Sequence, residues 1–93
     1  MKARYLVVIE KGETNYSAFS PDVPGCIATG RTVESTIDEI RSALRFHLEG
    51  IVENGEGVPK PKGLDFYIHN SPDVTGEDIL AHVIIDTPEM ALA

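Results

Sequence analysis

The amino-acid sequence predicts an α+β fold in two layers: a three-stranded antiparallel sheet plus a returning strand, packed by one main helix, in the order strand-strand-strand-helix-strand. Three observations predict it. A run rich in β-branched residues, Arg4–Glu10 (RYLVVIE), opens the chain. From Val33 to Ile51 apolar residues recur at spacings of three and four, the period of a helix with one buried stripe. A second strand-like run, Ile79–Asp86 (ILAHVIID), follows late in the chain.

Each element follows from its residues. The apolar stretch of the first strand, Tyr5 to Ile9, is unbroken rather than alternating, which predicts a central strand with at least one face well covered. Lys11-Gly12-Glu13-Thr14-Asn15 reads as a polar hairpin loop and Tyr16–Ser20 as the returning strand. In Ser20-Pro21-Asp22-Val23-Pro24-Gly25, Pro21 and Pro24 fix φ and remove two backbone donors. This piece is therefore a stiff connection and no part of a ladder. Cys26–Gly30 is a short third strand that Gly30 ends.

Thr32 suits a helix N-cap, and Glu34 sets a negative charge in the first turn, where the helix dipole favours it. The buried stripe is Val33, Ile37, Ile40, Leu44, His47/Leu48 and Ile51; the other side carries Glu34, Asp38, Glu39, Arg41, Arg45 and Glu49. Asn54-Gly55 stops the helix, with Gly55 available for a left-handed cap. Gly50 costs about 1 kcal/mol relative to alanine inside a helix, and marks either a close approach or a frayed last turn. Val58–Gly63 (VPKPKG) must run extended. Leu64–Asn70 fits either a short helical turn or an edge strand, Ser71–Asp78 is turn-rich and polar, and Pro88 closes off the final strand.

Ninety-three residues make one small domain. With 42% hydrophobic and 25% charged residues, the composition excludes a membrane-spanning chain or one disordered in bulk. The net charge is −7 and unevenly placed: residues 1–31 carry four bases against three acids, residues 32–93 four against twelve. An acidic surface repels phosphate backbones and attracts basic proteins, so a basic protein partner is expected and direct nucleic-acid binding is not. The apolar run near the N-terminus is too short for a signal peptide or a membrane span, so a cytoplasmic protein without a membrane partner is expected.

Candidate chemistry is sparse. The single cysteine, Cys26, has no histidine near it in sequence. It reads as a small residue packed under the helix rather than as a nucleophile. His47, His69 and His82 show no local metal-ligand spacing, and His82 reads as half-buried in its strand. A two-metal nuclease would need several acids converging at strand ends. Glu10, Glu34, Asp38 and Asp86 are the candidates, yet the interior of the first strand holds no acid. The glycines form neither GxGxxG nor a P-loop. No cofactor and no catalytic residue are expected.

The informative stretch runs from Tyr16 to Glu34. It resembles the N-terminal domain of HicB-family antitoxins, a family that also includes solitary proteins. The matching residues are Ser20-Pro21-Asp22-Val23-Pro24-Gly25-Cys26, Gly30-Arg31-Thr32, His47-Leu48-Glu49-Gly50 and Val58-Pro59-Lys60-Pro61, in order over roughly residues 4–61. The resemblance implies a partial ribonuclease-H-like fold and a non-enzymatic protein that binds and silences a small basic HicA-type toxin, a messenger-RNA-cleaving enzyme. Many members continue into a DNA-binding helix-turn-helix or ribbon-helix-helix segment, which this sequence does not contain up to Ala93.

The motif residues Pro21, Asp22, Pro24, Gly25, Cys26, Gly30 and Thr32 have scaffold duties. The prolines stiffen the crossing, Asp22 can bond nearby backbone donors, Gly25 can turn where a Cβ would clash, and Thr32 caps the helix. Partner contact is expected from the acidic helix face, Glu34, Asp38, Glu39 and Glu49, and from the rigid loop around Asp22. A homodimer or higher homo-oligomer is expected, because a small sheet with one helix leaves a strand edge to cover. The rival readings are a solitary regulator or scaffold with a different protein partner, and a metal-dependent nuclease using Glu10 or Asp86.

Overall fold

The structure, a computed structural model, describes residues 2–71 and 77–86. Its elements are β1 (Lys2–Lys11), β2 (Tyr16–Phe19), β3 (Ile27–Gly30), α1 (Val33–Glu53), α2 (Leu64–Asn70) and β4 (Ile79–Asp86). The expected turn at Ser71–Asp78 lies largely outside the described residues, as does Pro88.

The four strands form one antiparallel sheet in the order β3-β2-β1-β4. The returning strand pairs with β1 over its whole length, from Lys2 opposite Asp86 to Ile9 opposite Ile79. β1 is thereby interior, which explains its unbroken apolar run. Ala3, Tyr5, Val7 and Ile9 pack on one face with Ile40, Leu44 and Leu48 of α1 and Val83 and Ile85 of β4. Leu6 and Val8 point to the other face, where Tyr67 of α2 covers them beside Phe19, Leu64 and Leu80. The alternation of a strand thus feeds two apolar layers from one run. Fully buried side chains of this size contribute about 1.5–3 kcal/mol each.

The expected helix is present, and its ends are built as the residues suggest. Thr32 is the N-cap: the Ser35 amide donates to Thr32 Oγ1 at 3.0 Å, and the Thr32 amide donates to Ser35 Oγ at 3.1 Å. That is a reciprocal capping box closed by serine. At the other end Gly55 has φ 74°. Its amide donates to the Val52 carbonyl, and the Glu56 amide donates to the Ile51 carbonyl, both at 3.0 Å, the paired bonds of a left-handed helix stop.

Of the two alternatives for Leu64–Asn70 the structure has the helical one: Leu64 and Tyr67, three apart, are the pair that packs against the sheet. Three expectations need correction. Ser20 and Cys26 flank the strands instead of belonging to them, since the turns of the proline loop use the Ser20 carbonyl and the Cys26 amide. His82 is exposed, because it lies on the side of edge strand β4 that α2 leaves open. Gly50 neither meets a neighbour nor frays: a Cβ there would touch nothing within 4 Å, and α1 continues to Glu53.

Candidate partner-binding face

The outer face of α1 carries the largest exposed apolar side chain on the helix. Phe46 is 78% exposed, because its phase on the helix is opposite to that of Leu44 and Leu48, both fully buried. At 3.6 residues per turn, Glu39 and Glu53 fall within about 20° of Phe46 and Glu49 within about 60°. All three glutamates are exposed. The remaining positions of this arc are small: Ser35, Ser42, Ala43 and Gly50. The result is one aromatic ring framed by three carboxylates, with no base in the arc and a low backbone around it. Such a patch offers a basic protein surface an apolar anchor and complementary charge.

The five residues expected to contact a partner do not form one surface. Glu39 and Glu49 flank Phe46. Asp38 lies at the flank of the arc, where Arg41 donates to its carboxylate at 3.1 Å, and Glu34 is further round in the first turn. Asp22 stands apart and is only 7% exposed. Its Oδ1 accepts from the Tyr67 hydroxyl at 2.7 Å and from the Lys62 amide at 3.0 Å. In this structure it is an internal tie between the proline loop, the extended segment and α2, and it offers little to a partner. The donors it serves are forty and forty-five residues away in sequence rather than nearby.

The rest of the motif also does scaffold work. The Val23 amide donates to the Ser20 carbonyl and the Cys26 amide to the Val23 carbonyl, so two turns follow in succession around Pro21 and Pro24. Gly25 has φ 87°, yet a Cβ there would meet nothing within 4 Å. The demand for glycine is backbone conformation, and the expected clash is absent. At Gly30 the reverse holds: a Cβ would lie 2.5 Å from Thr36 Oγ1 and 2.8 Å from Ser35 Oγ. Gly30 lets β3 run directly under the first turn of α1.

Tyr5 is fully buried and donates to the Pro59 carbonyl at 2.7 Å. Burial, and secondly the Asp22 carboxylate, push its phenol up to about 12. Tyr67 is raised likewise, by burial first and then by its bond to Asp22. Cys26 is 3% exposed in the core under α1, and burial pushes its thiol up. A groove of about 630 Å³ beside it is lined by Glu10, Ser20, Cys26 and Tyr67 among others, with no histidine in the lining. The described lining thus offers the thiol a carboxylate, Glu10, but no imidazole.

Glu10 and Asp86, the two strand-end acids of the nuclease reading, are kept apart by the sheet. Asp86 pairs with Lys2 at the start of β1, whereas Glu10 lies near its end. Eight residues of extended chain separate these two levels by roughly 26 Å. Among the described residues no group of three or more acids, histidines or cysteines converges as a metal site would, and no helix is long and apolar enough to cross a membrane.

Phe46 and Glu53 were missed by sequence reading. The signal was available for Phe46: it is an aromatic residue two positions from both Leu44 and Leu48, out of phase with the apolar stripe.

A four-stranded antiparallel sheet covered by one long helix, with a proline-rich loop tied to a short second helix, has close relatives of known structure. The profile of HicB-like antitoxins of bacterial toxin-antitoxin systems matches residues 5–92, and the chain belongs to that family. The N-terminal domain of the Burkholderia pseudomallei antitoxin HicB superposes with a TM-score of 0.77 at 26% identity, over 90% of this chain and 99% of that one. A chain of a HicA3 and HicB3 toxin-antitoxin complex does so with a TM-score of 0.73 at 29% identity, again over 90% and 99%.

In sequence, an uncharacterised 14.9 kDa protein of Haemophilus phage HP1 is 38% identical over 69 residues, 74% of this chain. The chain spans 51% of that relative's length. A UPF0150 protein of Thermoplasma acidophilum is 28% identical over 71% of this chain and 97% of its own length.

Proposed function

We propose that this chain is a non-enzymatic antitoxin that binds and neutralises a small, basic, HicA-type messenger-RNA-cleaving toxin in the cytoplasm. The observation that carries the reading is the Phe46 patch. An exposed aromatic ring framed by Glu39, Glu49 and Glu53 is suited to a partner that presents basic residues around an apolar pocket. A toxin that cleaves RNA needs a basic surface to hold its substrate, and an acidic carrier occludes that surface. The same acidity, a net charge of −7, keeps this chain itself off nucleic acid. It works as a homodimer or higher homo-oligomer.

Co-expression with the adjacent small reading frame tests the reading. Rescue of growth together with co-purification is the expected result. A neighbour that is harmless, or that does not bind, overturns the antitoxin assignment and leaves the fold untouched.

A further inference from the structure

The groove beside Cys26 has its floor on the sheet face opposite α1. Phe19 is paired with Val8, and Ile27 with Phe19, and directly opposed residues share a face. Phe19 and Ile27 therefore continue the apolar row of Val8 across the sheet, and Ile27 is left 67% exposed. Glu10 follows Val8 by two residues on the same face. Pro21, Pro24 and Tyr67 are further parts of the lining. At about 630 Å³ the groove is of the size that holds a small organic ligand.

Its polar groups stand at two ends. At one, Glu10 is exposed and forms no ion pair among the described residues. At the other, Ser20 lines the groove, is 2% exposed, and its Oγ has no hydrogen-bond partner. Asp22, between lining residues Pro21 and Pro24 and bonded to Tyr67, has a buried Oδ2 that is equally without a partner. A hydroxyl and an amide meet its carboxylate, and no base does. Buried polar atoms are ordinarily satisfied. No lysine, arginine or histidine lines the groove.

We propose that this groove is a binding site for a linear aliphatic diamine, with its methylene chain on Phe19 and Ile27 and an ammonium group at each end. One ammonium donates to Glu10 and the other to the unpartnered oxygens of Ser20 and Asp22. The spacing asks for two charges. Glu10 is paired with Ser17, so Ser20 lies three residues along and one strand across, roughly 11 Å between Cα atoms. A single ammonium cannot serve both ends, and an anion would meet carboxylates with no base to offset them. The floor of the site lies across the sheet from α1 and Phe46, and the proposal stands whether or not the chain is an antitoxin.

The experiment titrates the full, isotope-labelled chain with 1,5-diaminopentane at about 0.15 M salt, where loose ion pairing is screened, and follows amide resonances. Those of Glu10, Ser20, Gly25 and Ile27 should shift and saturate. Pentylamine should bind about tenfold more weakly or worse, and 1,5-pentanediol and glutarate should not saturate. Glu10→Gln should bring the diamine to the level of pentylamine. Ser20→Ala should also weaken it without lowering the melting temperature, because the hydroxyl removed has no partner to lose. Four results overturn the site: no saturable shift in the groove, pentylamine binding as well as the diamine, wild-type affinity in Glu10→Gln, or shifts confined to the acidic face of α1.

Discussion

The Tyr67 hydroxyl donates a 2.7 Å hydrogen bond to the carboxylate of Asp22, forty-five residues earlier in the chain, and both groups are buried. The Lys62 amide shares the same carboxylate oxygen. One side chain from the proline loop thus locks the extended segment and α2 onto the sheet face that α1 does not cover. Removing the acceptor strands two donors. Asp22→Ala is expected to cost about 2–4 kcal/mol and Tyr67→Phe about 1–2 kcal/mol. In urea unfolding, the double variant should lose less than the sum of the two single ones.

The buried phenols make stability fall in strong base. The folded state holds Tyr5 and Tyr67 neutral more firmly than the unfolded chain does, whose tyrosines titrate near 10. A folded value raised above the unfolded one contributes stability that is complete below about pH 10. That stability is lost as the pH rises through the folded value, about 12 for Tyr5. Unfolding free energy should fall by up to about 1.4 kcal/mol per pH unit for each tyrosine in that window. Tyr5→Phe should make the slope shallower.

Two glycines should respond in opposite directions to alanine. Gly30→Ala pushes a methyl group into Thr36 and Ser35 at the start of α1, with an expected loss of about 2–3 kcal/mol. Gly50→Ala enters open space in the helix and should gain about 0.5–1 kcal/mol. Thermal melts of the two variants should fall on either side of the wild type.

Phe46→Ala separates binding from folding. The ring is exposed, so stability should change by less than about 0.5 kcal/mol. Titration calorimetry against the basic partner should show affinity reduced about tenfold or more. Reversing Glu39, Glu49 and Glu53 to lysine should slow association and weaken its salt dependence, as measured by stopped flow.

The parts of the fold readable from sequence were those in which one local signal stands alone. β1 and β4 are nearly continuous apolar runs and α1 has one apolar period, while Thr32 and Asn54-Gly55 mark the helix ends with capping bonds and a backbone turn that act within a few residues. Residues 64–70 carried two periods at once. Leu64, Phe66 and Ile68 alternate as in a strand, whereas Leu64 and Tyr67 are spaced as in a helix, and only packing on Leu6 and Val8 decides between them. The internal bonds of Asp22 were not legible for a related reason. Its partners, Lys62 and Tyr67, come from the far side of the chain, and no local pattern announces a bond of that span. The acidic face of α1 was legible as charge, but its centre, Phe46, was visible only as an out-of-phase residue.

The position of β1 has a consequence for how the protein is made. It leaves the ribosome before the other strands of this sheet and is completed only by the latest of them, because the partner of Ile9 is Ile79 and the partner of Lys2 is Asp86. At about 5–20 residues per second, some seventy residues of further synthesis take roughly 4–14 seconds. For that interval the most apolar strand of the nascent chain lacks the neighbour that completes its sheet. Its hairpin with β2 and the cover of α1 can form early, but closure waits for the last tenth of the described chain. A ribosome that stalls within β4 therefore releases a chain with a bare apolar edge, which chaperones and proteases recognise.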